Sequence, residues 1–231
     1  MRLRSWHGLS SQASYTWSHS LDEGTQWRNV LPQDSTNIQG DYGNSDYDVR
    51  NTFNAYFIYD VPGSSSGPQW LTHGWQVNSV LSLHGGEPFS VLSSTDNSGT
   101  GEGFQRAVQV LSDPYAGVSH KFADKQVTWV NPAAFTDGPT GTFSGASRRN
   151  QLYGQGFEDV DLSVFKTSSI GEWVKVQFRA ELFNVFNRKN LAPPSNTVGD
   201  GFGVISDTRS WAVRTSLMLP RSACTLFMRL R

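Results

Sequence analysis

The stretch Trp173–Asn187, WVKVQFRAELFNVFN, limits most strongly what this chain can become. Its even positions read Val174, Val176, Phe178, Ala180, Leu182, Asn184 and Phe186, and the odd positions between them carry Lys175, Gln177, Arg179 and Glu181. Side chains alternate faces along a strand, so one face is nearly all apolar and the other carries every charge. A tilted β-strand needs about 9–11 residues to cross a bilayer, and this run is long enough. It reads as a strand with lipid on one side and a water-filled lumen on the other.

The same period recurs along the chain. Around Gly8–Ser20, Leu9, Ala13, Tyr15 and Trp17 oppose Ser10, Gln12, Ser14 and Thr16. Around Val49–Val61, Phe53, Ala55, Phe57 and Tyr59 oppose Thr52, Asn54 and Asp60. Gly74–His84, Phe157–Lys166 and Ser210–Leu219 repeat the pattern. The predicted strands are therefore 8–20, 49–61, 74–84, 157–166, 173–187 and 210–219. The connections 21–48, 62–73, 85–156, 167–172 and 188–209 alternate long and short, as extracellular loops and periplasmic turns do. A connection as long as 85–156 is rare inside a compact soluble domain. Tyr59 and Trp75 fall at the inner strand ends, and Trp17, Phe186 and Trp211 at the outer ends. Two interfacial girdles have this layout. Trp173 has the right height and the wrong parity.

The fold class expected is all-β, an antiparallel meander of about six long strands forming a partial, open transmembrane barrel. Pattern alone leaves a second reading open, a secreted or surface β-sandwich binding carbohydrate or protein, whose apolar faces would line a core instead of meeting lipid. Charged residues make up only 17% of the chain, net charge is −1 and the basic residues are scattered, which argues against nucleic acid as a partner. Cys224 is the single cysteine and excludes an internal disulfide. The start, MRLRSWHGLS, is basic without an apolar core and does not read as a signal peptide, so the expectation is a piece of a longer protein.

SYTWSHSLD (Ser14–Asp22), VNPAAF (Val130–Phe135), GTFSGASRRN (Gly141–Asn150), YGQGFEDVDLSVFK (Tyr153–Lys166) and FRAELFNVFNRKN (Phe178–Asn190) follow one another in order. Together they resemble the C-terminal barrel portion of Oar-like TonB-dependent outer-membrane transporters, which often carry a carboxypeptidase-regulatory-like N-terminal domain. The resemblance covers roughly Gly8–Asp207 and implies a barrel of about 22 strands closed around a plug. It implies outer-membrane localisation in a Gram-negative-type bacterium and uptake of a large ligand. The implied partners are membrane lipid, the remaining strands, the plug, and the TonB complex reached through an N-terminal region. By this reading residues 1–219 are a barrel fragment, not functional alone. Residues 220–231, PRSACTLFMRLR, are an atypical tail of the kind a frameshift or truncation produces.

The chemistry-bearing residues favour a wall over a catalyst. Asp159, Asp161, Lys175, Arg179 and Glu181 read as a lumen-facing charge ladder. A turn centred near Ile170 would set Asp161 about opposite Arg179 and Lys175 opposite Phe165. Opposite charges across a strand pair contribute roughly 0.2–1 kcal/mol and help fix register. No enzyme activity and no cofactor are expected. His7, His19, His73, His84 and His120 have no metal-ligand spacing. Asp22, Glu23, Asp34, Asp41, Asp46 and Asp48 read as solvated loop charge. In the loop 85–156, Phe104, Tyr115, Trp129 and Phe135 are candidate ligand contacts, or the loop's own core, with NPAAF and GTF as packing points.

Overall fold

The computed structural model describes residues 2–24, 32–101, 105–170, 174–209 and 224–230. Its strands follow chain order in one 7-stranded antiparallel sheet: β1 (Arg2–Trp6), β2 (Leu9–Trp17), β3 (Asn51–Val61), β4 (Trp75–His84), β5 (Phe157–Ile170), β6 (Val174–Leu182) and β7 (Cys224–Leu230). Among the described residues the sheet is an open meander with β1 and β7 at its edges.

Local chemistry sets the strand ends. β1 had no alternation to announce it; it is joined to β2 by His7 and Gly8, at φ 48° and 84°. A two-residue hairpin of this hand needs positive φ at both central positions. A Cβ on Gly8 would lie 2.6 Å from the Asp60 carbonyl oxygen, which keeps the position small. β6 stops at Leu182 instead of continuing to Asn187. Asn184 and Asn187 enter the left-handed region there, and the Asn184 amide donates to Asp161 Oδ1 at 2.9 Å, outside the ladder. The Asn184 side-chain oxygen accepts from the Arg188 amide, and its Nδ2 donates to the Arg188 carbonyl, closing the turn.

The β5–β6 register differs from the sequence expectation. Phe165 lies opposite Arg179 and Ser169 opposite Lys175, so the turn is centred beyond Ile170 and Asp161 has no partner in the ladder of β6. The slip is an even number of residues, so every side chain keeps its face. The strand expected at 210–219 lies outside the described residues; β7 pairs with β6 from Val176↔Leu230 to Leu182↔Cys224.

The registers sort the two faces. Ser14, Asn54, Ser82 and Asp159 form one cross-strand row, and Gln12, Tyr56, Val80 and Asp161 the next. Between them runs Ala13, Ala55, Leu81 and Val160, on the opposite face. A packed sandwich would bury that apolar face. Here Tyr15 and Trp17 are each 63% exposed and Phe178 43%, and the other sheets are two-stranded pairs within the connections.

The buried apolar core sits above the sheet, in the loops. Phe89, Val91, Val130, Ala134, Leu152 and Phe202 belong to it, all from the long connections 85–156 and 183–209. At the opposite end, the turn after β3 holds a one-turn helix, Gln69–Thr72, whose Leu71 carbonyl accepts from Trp75 Nε1 at 2.7 Å. Lys166 has apolar-face parity, yet its Nζ curls back to the His73 and Thr167 carbonyls and lies 5.6 Å from the Trp75 ring centre. A lysine on a lipid-facing strand behaves this way at the membrane boundary, burying its stem and keeping its charge wet.

Candidate functional site

The polar face of the sheet carries the residues expected to line a lumen. Asp159 and Asp161 share that face of β5, and Lys175, Arg179 and Glu181 share it on β6. The ladder is not cross-strand. Arg179 ion-pairs with Glu181 along its own strand, and its guanidinium lies 4.9 Å from the Phe165 ring centre. Lys175 is exposed opposite Ser169. Neutral donors do the cross-strand tying: Tyr56 Oη donates to Gln12 Oε1 at 3.2 Å, Gln76 Nε2 to Asp60 Oδ1 at 2.7 Å, and Gln177 Nε2 to Thr167 Oγ1 at 3.2 Å. Looking for charge alone misses Gln12, Tyr56 and Gln76; the parity of their strands was the available signal.

Above the sheet, the first long connection, 21–48, and the second, 85–156, interlock. Arg106 ion-pairs with Asp41, with side chains only 8% and 6% exposed. Arg106 also donates through Nε to the Ser147 carbonyl at 2.8 Å and through Nη2 to the Gly40 carbonyl at 3.1 Å. Arg149 pairs with Asp22 at 2.6 Å and reaches Asp46 at 3.8 Å. Asn150, buried and held at φ 51°, donates through Nδ2 to the Asn44 carbonyl and to Asp46, and its Oδ1 accepts from Ser90 Oγ. Asp22, Asp41, Asp46 and Asp48 are therefore not the solvated charges expected from the sequence. A buried carboxylate keeps its charge only beside a cation or several donors, and here the connection 85–156 supplies Arg106 and Arg149.

Asp48 shows the balance. Burial pushes its carboxyl upward, but donors from the Arg50 guanidinium, the Ser20 amide and the Tyr153 hydroxyl outweigh this and hold it below the ordinary aspartate value. The Tyr153 hydroxyl moves up, first through burial and then through the Asp48 charge it donates to. Asp137 repeats the pattern, with burial overcome by the Ser94 amide and the Ser94 and Ser93 hydroxyls.

The loop aromatics chosen as ligand contacts turn inward. Phe135 is 4% exposed and meets Phe202 edge-on at 5.8 Å. Trp129 stacks on His120 at 4.2 Å and donates from Nε1 to the Tyr153 carbonyl at 2.8 Å. Tyr115 packs against the same core, and burial raises its hydroxyl pKa. Phe104 lies outside the described residues. NPAAF is a packing point as expected, with Asn131 Oδ1 accepting from the Ala133 amide and Ala134 fully buried; GTF is a largely exposed turn. In the first loop Tyr42 and Tyr47 face solvent, at 60% and 71%. The acidic run around them hid these tyrosines from the sequence reading. Among the described residues no group of three or more His, Cys, Asp or Glu gathers as a metal site.

A meander with a polar wall on one side, an uncovered apolar wall on the other and ordered loops at one end is the wall of a membrane-spanning β-barrel. The chain belongs to the outer membrane beta barrel domain family, whose model matches residues 1–216. No curated protein and no solved structure matches it. The protein resides in the outer membrane, with lipid against its apolar face.

Proposed function

We propose that this chain is part of the barrel of an Oar-like TonB-dependent transporter, which takes up a ligand too large for a simple pore. The observation that carries the reading is the interlocked loop cap. Arg106, Arg149 and Asn150 lock the first loop to the second, so the outer end of the wall bears a shaped, rigid surface. Such a surface suits selective capture better than passive diffusion. The residues that build it come from the motifs carrying the family resemblance: Arg149 and Asn150 close GASRRN, and Asn131–Phe135 is NPAAF. Tyr42 and Tyr47 are the proposed ligand contacts, and the polar face carrying Gln12, Tyr56, Asp159 and Asp161 is the proposed path wall. The mechanism is capture and passage without catalysis, with a plug domain and the TonB complex as partners.

The test is affinity capture. The protein extracted from native outer membranes should be retained by the purified periplasmic domain of TonB and released by excess TonB-box peptide. No retention of the full-length product would remove the energised-transporter reading and leave a passive barrel.

A further inference from the structure

The outward face carries, at its outer rim, a cationic patch that transport does not use. Glu158 opens that patch from β5, one row above the lipid-facing Val160. It lies opposite Leu83, which lies opposite Phe53, so its parity is outward. Arg188, 59% exposed, ion-pairs with Glu158 and is thereby drawn onto the lipid side. The pair sits in a cleft of ≈ 340 Å³ that Phe186, Lys189 and Asn190 also line. Through Gln155, Gly156 and Glu158 this cleft continues into a second of ≈ 240 Å³ bounded by Tyr15, Phe53 and Leu83. Phe186 is 69% exposed, an aromatic at the height where a barrel places its interfacial girdle.

A distant hairpin adds charge. The Lys189 ammonium stands 3.8 Å from the Phe122 ring centre, which brings the turn 120–126 beside the cleft. Lys121 and Lys125 are exposed on that turn. Arg188, Lys189, Lys121 and Lys125 thus outnumber the carboxylates of Glu158 and Asp124. An exposed guanidinium with ammonium groups beside it is suited to phosphate oxygens, and the aromatic floor suits the glycerol or sugar level of a lipid.

We infer that this rim holds the phosphorylated headgroups of outer-leaflet lipids. Glu158 acts as a positioning residue that aims Arg188, while Lys189 and the 120–126 turn supply the remaining charge. The inference rests on outer-membrane residence and not on the transport proposal.

Native mass spectrometry of the protein, extracted from outer membranes in mild detergent, tests it. The probes are diphosphorylated lipid A and the same glycolipid with its phosphates removed. The wild-type protein should retain the phosphorylated form at least tenfold better, and R188Q/K189Q should lose most of that preference. K121Q/K125Q, at two exposed side chains, should reduce it about threefold, and K175Q on the lumen face should leave it unchanged. Equal retention of both lipids, an equal loss in K175Q, or full displacement by millimolar inorganic phosphate would each overturn the inference. If R188Q/K189Q does not fold, the K121Q/K125Q result decides.

Discussion

Asp41 and Arg106 belong to different loops, yet their carboxylate and guanidinium meet with almost no solvent on either side. Removing one partner of such a pair strands the other charge in a dry site, at a cost of about 3–5 kcal/mol. Asp41→Ala and Arg106→Ala should therefore each loosen the cap while the strands stay intact. Hydrogen exchange checks this: amides of 32–44 and 105–110 should lose protection in both variants while β3 and β4 keep theirs. Unchanged protection in the loops would show that the pair does not hold them.

Depth and parity should both be readable from arginine substitutions on the sheet. Leu81 lies on the apolar face of β4, one row below the rim row of Leu83 and Glu158. Leu81→Arg should cost between the about 2–4 kcal/mol of a midplane site and the about 0–1 kcal/mol of an interfacial one in folding into bilayers. Phe178 pairs with Lys166 near the inner boundary, so Phe178→Arg should cost only about 0–1 kcal/mol. Ser82→Arg, one residue along β4 and facing the lumen, should be nearly silent. Equal costs at Leu81 and Ser82, measured by urea titration in liposomes, would rule out the assigned faces.

Asn150 combines a left-handed backbone with side-chain bonds to Asn44, Asp46 and Ser90. Asn150→Gly keeps the backbone easy and loses the bonds, at about 1–3 kcal/mol of cap stability. Asn150→Ala loses the bonds and adds left-handed strain of about 1–2 kcal/mol. Limited proteolysis of the loops should rank wild type, glycine and alanine variants in that order.

Asp48 makes the cap sensitive to acid. Its folded pKa is depressed, so its contribution is complete above the ordinary aspartate value of 3.8 and is lost as pH falls through the lower, folded value. Loop protection against protease should drop below that range in the wild type. Asp48→Asn should be weaker at neutral pH and flatter with acid. A variant that tracks the wild-type pH profile would show that another group controls it.

Among the described residues β1 and β7 each have a sheet neighbour on one side only, and Tyr15, Trp17 and Phe178 stand exposed on the apolar face. An isolated copy of this chain should need detergent or additional strands to stay dispersed. Sedimentation in detergent-free buffer decides this, and a monodisperse monomer there would contradict the lipid-facing assignment.

Period-two alternation made β3, β4 and the faces of β5 and β6 legible, because lipid and water demand opposite residues at adjacent positions. It could not show β1, whose residues Arg2–Trp6 have no such pattern, nor the end of β6, which is set by asparagine turns at Asn184 and Asn187. The β5–β6 register also escaped, since parity survives any even slip and no hydrophobic mismatch penalises it. The cap was hidden for a different reason. Asp41 and Arg106 are ordinary loop charges in one dimension, and only the folded cap brings their loops together, through the bonds of Arg106, Arg149 and Asn150. The core of Phe89, Val91 and Val130 withdraws Phe135 from the surface, while Tyr42 and Tyr47 of the first loop stay outside it.

The staples between the first and second loops bear on how such a mouth opens. Strand ends from Trp17 to Phe157 carry a lid that is bolted at Asp41, Asp46 and Asp48, so neither loop can swing aside by itself. Widening the entrance then means tilting that lid as a single plate, against the backbone bonds from the Ser18 amide to the Arg50 carbonyl and from the Gly85 amide to the Asn51 carbonyl that tie its base to the strands.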